Sequence, residues 1–279
     1  MKRIFILLSG ICFALSGFAQ TDTTGTKKEG DTIKVGNMII IKKGNKGEHD
    51  NDSEVRIHRR KNNYTPSNVS TNWGILDIGF ANFKDETNYA AAQASGFVAS
   101  NVGEEQLDLR GGKSVNVNIW LFMQRLNVIE HVVNLKYGLG VELNNYRFSQ
   151  ENVKFTKNPT TVALFGGDSS YNKNKLAADY VTVPFMLNFN FTPRREEGFG
   201  FSIGASAGYL YSARQKFKGG PGGKYKVHDD FDLRRWKISY IGELQLGPIK
   251  LYGSYANQSM FEKGLDFTPY NVGIRFSNW

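Results

Sequence analysis

From residue 72 onward, apolar side chains recur at every second position in eight stretches, with polar or small residues between them. A period of two marks a β-strand with two unlike faces. The stretch 72–83 sets Leu76, Ile78 and Phe80 against Ile75, Asp77 and Gly79. In 113–125, Val115, Val117, Ile119, Leu121 and Met123 alternate with Asn116, Asn118, Trp120, Phe122 and Gln124. The stretch 131–149 opposes Val133, Leu135, Tyr137 and Leu139 to Asn134, Lys136, Gly138 and Gly140, with Glu142 and Asn144 continuing the polar face. In 178–192, Val181, Val183, Phe185 and Leu187 oppose Thr182, Pro184, Met186 and Asn188; in 199–217, Phe201, Ile203, Tyr209 and Tyr211 oppose Gly200, Ser202 and Gly208. The remaining stretches, 231–246, 249–257 and 268–279, follow the same rule.

What joins these stretches is as informative as the stretches themselves. Long polar segments at 84–111, 150–177, 218–230 and 258–267 alternate with short turns at 126–130, 193–198 and Gly247-Pro248, so every long connection falls on one side of a meander. Short turns on one side and long loops on the other characterise bacterial outer-membrane barrels, and strands of about 9–11 residues suffice to cross. The expected fold is therefore all-β: an eight-stranded antiparallel up-and-down transmembrane β-barrel over 72–279, apolar stripes toward lipid, long loops outside and the N-terminus in the periplasm. Backbone groups in hydrocarbon must all be paired, so the last strand is expected to meet the first. Pro184 lacks an N–H and is expected at a bulge or a rim. Lipid-facing aromatics sort into two belts: Tyr209, Tyr211, Trp236 and Tyr270 near the outer rim, and Phe189, Phe191, Phe201 and Trp279 near the inner one. The third and fifth strands exceed the span a bilayer requires and are expected to project above it. A soluble lipocalin-like barrel is the competing fold; it would turn the apolar stripes inward around a ligand.

The N-terminus adds a compartment. Lys2-Arg3, the apolar run 4–15 and the small residues Gly17 and Ala19 form a secretory signal over 1–19, leaving Gln20 as the first mature residue. Cys12, the single cysteine, has Ser9 and Ile11 where a lipobox needs a large aliphatic and a small residue, so the mature chain carries no thiol chemistry. Residues 20–71 are polar and mixed in charge and are expected to be a flexible periplasmic segment. Met38-Ile39-Ile40-Ile41, flanked by lysines, is the strand-like exception. The mean hydropathy of −0.40, 30 glycines and the lack of a later apolar run near 18 residues exclude helical spanning. Removing Lys2 and Arg3 takes the formal charge from +9 to +7. In an exported chain this surplus points to anionic envelope polymers, with no nucleic acid as partner.

Inward-facing ionisable positions define the candidate chemistry: Asp77, Lys136, Glu142, Arg235, Lys237, Glu243, Lys250 and Arg275. Eight strands enclose a space just wide enough for side chains, so these charges are expected to pair as a polar core, and a narrow anion-preferring pore is the alternative. A rim-site lipid-modifying enzyme would need a histidine beside a nucleophile. His49 and His58 lie in the N-terminal segment, His131 opens the third strand, and His228 beside Asp229 and Asp230 has no serine placed to receive its help. No catalytic or metal-binding set and no cofactor is expected. The expected partners are outer-membrane lipid, the insertion machinery during biogenesis, and an unidentified envelope protein or polysaccharide.

Three motifs remain: Asp179-Tyr180-Val181-Thr182-Val183-Pro184-Phe185-Met186-Leu187, the closing Asn271-Val272-Gly273-Ile274-Arg275-Phe276, and Asp31-Thr32-Ile33-Lys34-Val35-Gly36 followed by Ile39-Ile40-Ile41. On these the chain resembles the PorT-like outer-membrane β-barrels over about 72–279 and part of the N-terminal segment. The resemblance implies the barrel fold and, from the secretion component that gives the family its name, a place as an accessory of envelope assembly or protein secretion; the loops and the histidines themselves point to a non-enzymatic structural or binding role through the extracellular loops or the periplasmic tail. One departure concerns Trp279, which is out of phase with Tyr270, Val272, Ile274 and Phe276.

Overall fold

The computed structural model describes residues 66–157, 159–165, 171–195, 198–220 and 223–277, and the backbone alone at 32–35, 38–41 and 56–59. The expected signal peptide, Cys12, His49 and Trp279 lie outside the described residues. The chain divides into two compact units, 1–62 and 63–279. In the first, β1 (Thr32–Val35), β2 (Met38–Ile41) and β3 (Arg56–Arg59) form an antiparallel sheet in that order. The apolar Met38–Ile41 stretch is thus paired on both sides.

The second unit is a barrel. Its staves are β4 (Val69–Asp85), β5 (Val115–Ile129), β6 (Val133–Arg147), β9 (Lys173–Asn190), β10 (Phe199–Gly220), β12 (Trp236–Leu246), β13 (Ile249–Ala256) and β14 (Phe267–Phe276). Each pairs antiparallel with its neighbour in sequence, and β14 closes on β4 from Phe267↔Asp85 to Phe276↔Leu76. Closure leaves no open edge around the ring, the condition that hydrocarbon imposes. The loops carry the rest: β7 (Val153–Phe155), β8 (Val162–Leu164), β11 (Gly223–His228) and two short helices, α1 (Tyr89–Ala94) and α2 (Glu104–Leu107).

The alternation decides which face looks where. Ile78, Phe80, Ile119, Val183, Phe185, Ile203, Leu244 and Ile274 all stand outward and exposed, whereas Asp77, Asn116, Lys136, Asn144, Ser202 and Arg275 are buried inside. This is the reverse of a lipocalin, whose apolar stripes line a ligand cavity, and an apolar band of this extent has lipid as its natural solvent.

Strict alternation breaks at two places that shape the lumen and holds at Pro184, where a break was expected. Between Trp120 and Phe122 the β5–β6 register slips by one, and opposite it Gly74 takes φ 68°, so both strands change phase together. Phe122, expected inward, therefore stands outside against Trp73, with ring centroids 5.8 Å apart, and Met123, expected outward, is fully buried. A second slip at Leu210/Ser212 turns Ala213, Gln215 and Phe217 inward on β10. Pro184, by contrast, sits neither at a bulge nor at a rim. It pairs with Ser206 in unbroken register, and the β6–β9 ladder lapses between Tyr137↔Phe185 and Gly140↔Thr182 without shifting. A missing N–H costs one ladder bond on one side; the intact pairing on the other side holds the strand in place.

Several boundaries also move: β4 opens at Val69 against the expected 72, and β12 at Trp236 against 231. The turn expected within 126–130 is at Glu130 (φ 44°) and His131 (φ 61°), so His131 precedes β6. The strands of greatest length are β9 (18 residues) and β10 (22 residues), because Lys173–Ala177, read as loop, continues β9 upward. The projection above the band is therefore made by the fourth and fifth staves, with β11 pairing onto the top of β10.

Candidate functional site

The lumen is organised around three buried carboxylates. Asp77 accepts from Arg275 Nε at 2.7 Å and Nη2 at 2.8 Å, from Trp120 Nε1 at 2.7 Å and from Asn118 Nδ2 at 3.1 Å. Arg275 reaches the opposite wall as well, donating from Nη1 to Glu243 at 2.7 Å, while Lys136 Nζ meets the other oxygen of Glu243 at 2.9 Å and Ser202 Oγ at 3.2 Å. Higher in the barrel Glu142 pairs with Lys237 and accepts from Asn144 Nδ2 at 3.1 Å and Asn271 Nδ2 at 3.2 Å. Lys250 donates to the carbonyl and hydroxyl of Ser277 at 2.9 Å and 2.8 Å.

Seven of the eight residues singled out in the sequence are thus gathered inside, each at most 6 % exposed. Arg235 is not among them: it is exposed, one residue ahead of β12, and its carbonyl accepts from Leu210 N. The inward phase holds only once the strand has begun. Several partners had no ionic signature in the sequence, namely Trp120, Tyr252 and the asparagine set. Tyr252 donates to Asn116 Oδ1 at 2.5 Å, and Asn116 Nδ2 donates to Asn118 and Asn144, both at 2.9 Å.

Around this network the barrel is full. Ile75, Trp120, Met123 and Met186 form an apolar layer, with Ile241 packed against it. The void beside them, lined by Trp120, Glu142, Pro184, Met186, Tyr252 and Arg275, measures about 30 Å³. That is room for about one water molecule, given its share of about 30 Å³ in the liquid.

The loops seal one end. Phe97, Val98 and Leu107 from the first loop, Val153, Phe155 and Val162 from the second, Phe231 and Leu233 from the third, and Met260, Phe261 and Leu265 from the fourth bury against one another and against the inward residues Tyr146, Leu176 and Tyr180. Phe155 is central: its ring lies 5.8 Å from Phe148, 6.0 Å from Phe231 and 6.0 Å from Phe261. Bridges Val98↔Val162 and Leu233↔Phe261 tie first loop to second and third to fourth. A crevice of about 710 Å³ opens on this cap beside Asn88, Arg234 and Glu262.

On the outside, Tyr209 and Trp236 meet edge to face at 5.1 Å where β10 parts from β12, with Tyr211 and Tyr270 also exposed on the loop side. At the short-turn side Phe189 and Phe201 stack at 4.8 Å and Phe191 lies 5.9 Å from Phe201. A profile of the outer membrane protein β-barrel domain matches residues 77–267. The chain belongs to that family. Among solved structures, that of Ail, the attachment invasion locus protein of Yersinia pestis, is similar at 12% identity over 74% of this chain and 98% of that one, with a TM-score of 0.28. Comparison with curated proteins finds no match.

In outer-membrane barrels aromatic girdles flank an apolar band at both interfaces, and the exposed aromatics named above stand near the two ends of the strands. Of the histidines, His228 lies near side chains of the kinds that catalysis uses. His228 is exposed at the loop-side rim and shares a crevice of about 400 Å³ with Ser212, Asp229 and Asp230. Ser212 Oγ, however, accepts from Arg214 Nη1 at 3.1 Å, and among the described residues no hydrogen bond joins it to His228. Nor do the described residues contain three or more His, Cys, Asp or Glu grouped to hold a metal.

Proposed function

We propose that the protein is a non-enzymatic, non-conducting outer-membrane scaffold whose loop-built cap faces the cell exterior and acts as a structural or binding surface, with the N-terminal segment in the periplasm. The observation that carries this reading is a lumen closed twice, first by cross-barrel ion pairs and then by an apolar plug drawn from all four long loops. An ion moving through would have to break pairs that are out of reach of water and then cross a hydrocarbon-like layer, each step costing several kcal/mol. The same packing makes the loops a shaped surface rather than loose tethers, and function on rigid scaffolds resides in such loops. The PorT-like motifs support a place among accessories of envelope assembly or protein secretion, with outer-membrane lipid and the insertion machinery as partners.

Planar-bilayer recording on the purified, refolded protein tests the conduction half of this reading. A flat baseline is expected; steady unitary currents with anion preference would replace the scaffold with a pore. Labelling of intact cells by a membrane-impermeant maleimide, using a cysteine placed at Lys263 on the cap, tests the orientation half. Labelling is expected without permeabilisation.

A further inference from the structure

Past the loop-side belt, the outward faces of the projecting strands carry cations in rows. Arg147 on β6, Lys175 on β9, Lys216 on β10 and Lys226 on β11 are successive cross-strand partners. Two residues further from the membrane, Lys173, Lys218 and Lys224 make a second row on β9, β10 and β11. Strands lie about 4.8 Å apart and alternate residues about 7 Å, so positive groups occupy a small two-dimensional grid. Directly opposed like charges destabilise a sheet. Burial first, then the charges of Lys173, Lys216 and Arg147, draw the Lys175 ammonium below its ordinary range. Lys216 is lowered in the same way by burial, Arg214 and Lys226. Carboxylates stand at the membrane-proximal margin: Asp179, ion-paired with Arg214, and Asp229 and Asp230 just after β11. The fold therefore holds a cationic array that it works against, and a bound polyanion would relieve it.

The position of the grid selects the polyanion. It shares its face with the lipid-covered stripe. Lys216 lies five residues beyond Tyr211 on the same strand, which is about 17 Å along it and about 13 Å along the normal for a stave tilted by about 40°. That is the level of headgroups, outside the hydrocarbon and against the barrel wall. We propose that this lysine ladder is a docking surface for the phosphorylated saccharide headgroups of the outer-leaflet glycolipid surrounding the barrel. The inference rests on the reading that the loops face outward. Several phosphates held by one rigid array of ammonium groups give a multipoint, salt-sensitive contact.

The test uses the full-length protein folded in zwitterionic micelles and titrated with bisphosphorylated lipid A, binding being read by native mass spectrometry. Wild type is expected to retain the lipid, and the variant Lys175→Gln/Lys216→Gln/Lys226→Gln to bind it about tenfold or more weaker. Lys84→Gln/Lys263→Gln, on β4 and on the loop between β13 and β14, strands that do not carry the ladder, should bind like wild type. In lipid-free micelles the triple variant should melt no lower than wild type, since its loss relieves repulsion. Equal binding by wild type and the triple variant overturns the proposal. So does wild-type binding of dephosphorylated lipid A as tightly as the phosphorylated form, or stronger ladder-dependent binding of soluble inorganic polyphosphate than of the glycolipid. Should the triple variant fail to fold, the comparison of phosphorylated with dephosphorylated lipid on wild type decides alone. A cysteine at Lys224 that labels only in permeabilised cells would overturn the orientation, and the outer-leaflet assignment with it, whatever the micelle titration shows.

Discussion

At the scale of single residues, Arg275 is the member of the lumen network with most to lose. Its guanidinium bridges Asp77 and Glu243 and lies 5.5 Å from the Trp120 ring. Arg275→Met leaves two buried carboxylates with fewer partners, and urea unfolding of the micelle-folded protein should show a loss of about 3–5 kcal/mol. Arg275→Lys should recover part of this and not all, because a lysine cannot make the bidentate contact. Gly79 and Gly273 face each other across β4 and β14, and a Cβ at Gly79 would come within 2.3 Å of Val272 O and 2.6 Å of Tyr252 Oη. Gly79→Ala should therefore destabilise by about 1–3 kcal/mol in the same assay. That the charged residues would face inward was legible from parity. That Arg275 would stand directly opposite Asp77, 198 positions away, was not: the last strand was expected to meet the first, but parity does not fix the register in which they close.

At the scale of elements, two features invite tests of opposite sign. The β5–β6 hairpin turns through Glu130 and His131, both at positive φ, where L residues are strained and Asn-Gly is favoured. Glu130→Asn/His131→Gly should raise stability by about 1 kcal/mol, seen as a higher midpoint in urea. The cap hangs on Phe155, which is completely buried. Phe155→Ala opens a cavity worth about 3–5 kcal/mol, lost locally, so limited proteolysis should cut within 150–165 while the barrel itself stays intact. Strand existence and order were readable because alternation is a local property. The phase slips at Leu121 and Tyr211 were not, since beyond each slip residue type does not tell the faces apart: Phe122 stands outside and Met123 inside, and Phe217 shares the inner face with Gln215.

At the scale of the whole molecule, closure and filling act together. The ring is continuous, so the unboiled protein should run at a shifted position in SDS gels and collapse to its unfolded mobility on heating, with about 66–277 resistant to protease. Lumen and cap close independently, so Phe155→Ala in a planar bilayer should remain silent. Loss of the heat-dependent shift in wild type would remove the closed barrel; currents from the cap variant would show that the ion-paired lumen is no barrier. Alternation, the long-short rhythm of connections and the placing of aromatics determined by themselves that this chain makes eight staves with apolar faces outward, since those signals repeat over short distances and each strand reports its own two faces. The apolar cap was invisible in the same sequence: Phe97, Phe155, Val162 and Phe261 follow no period and sit in stretches that read as polar loops. The lysine ladder was invisible too, its members coming from three separate parts of the sequence, at 147, 173–175 and 216–226. Only the tertiary structure brings them side by side, because barrel closure and the rise of β9, β10 and β11 above the band set distant residues at the spacing of one sheet.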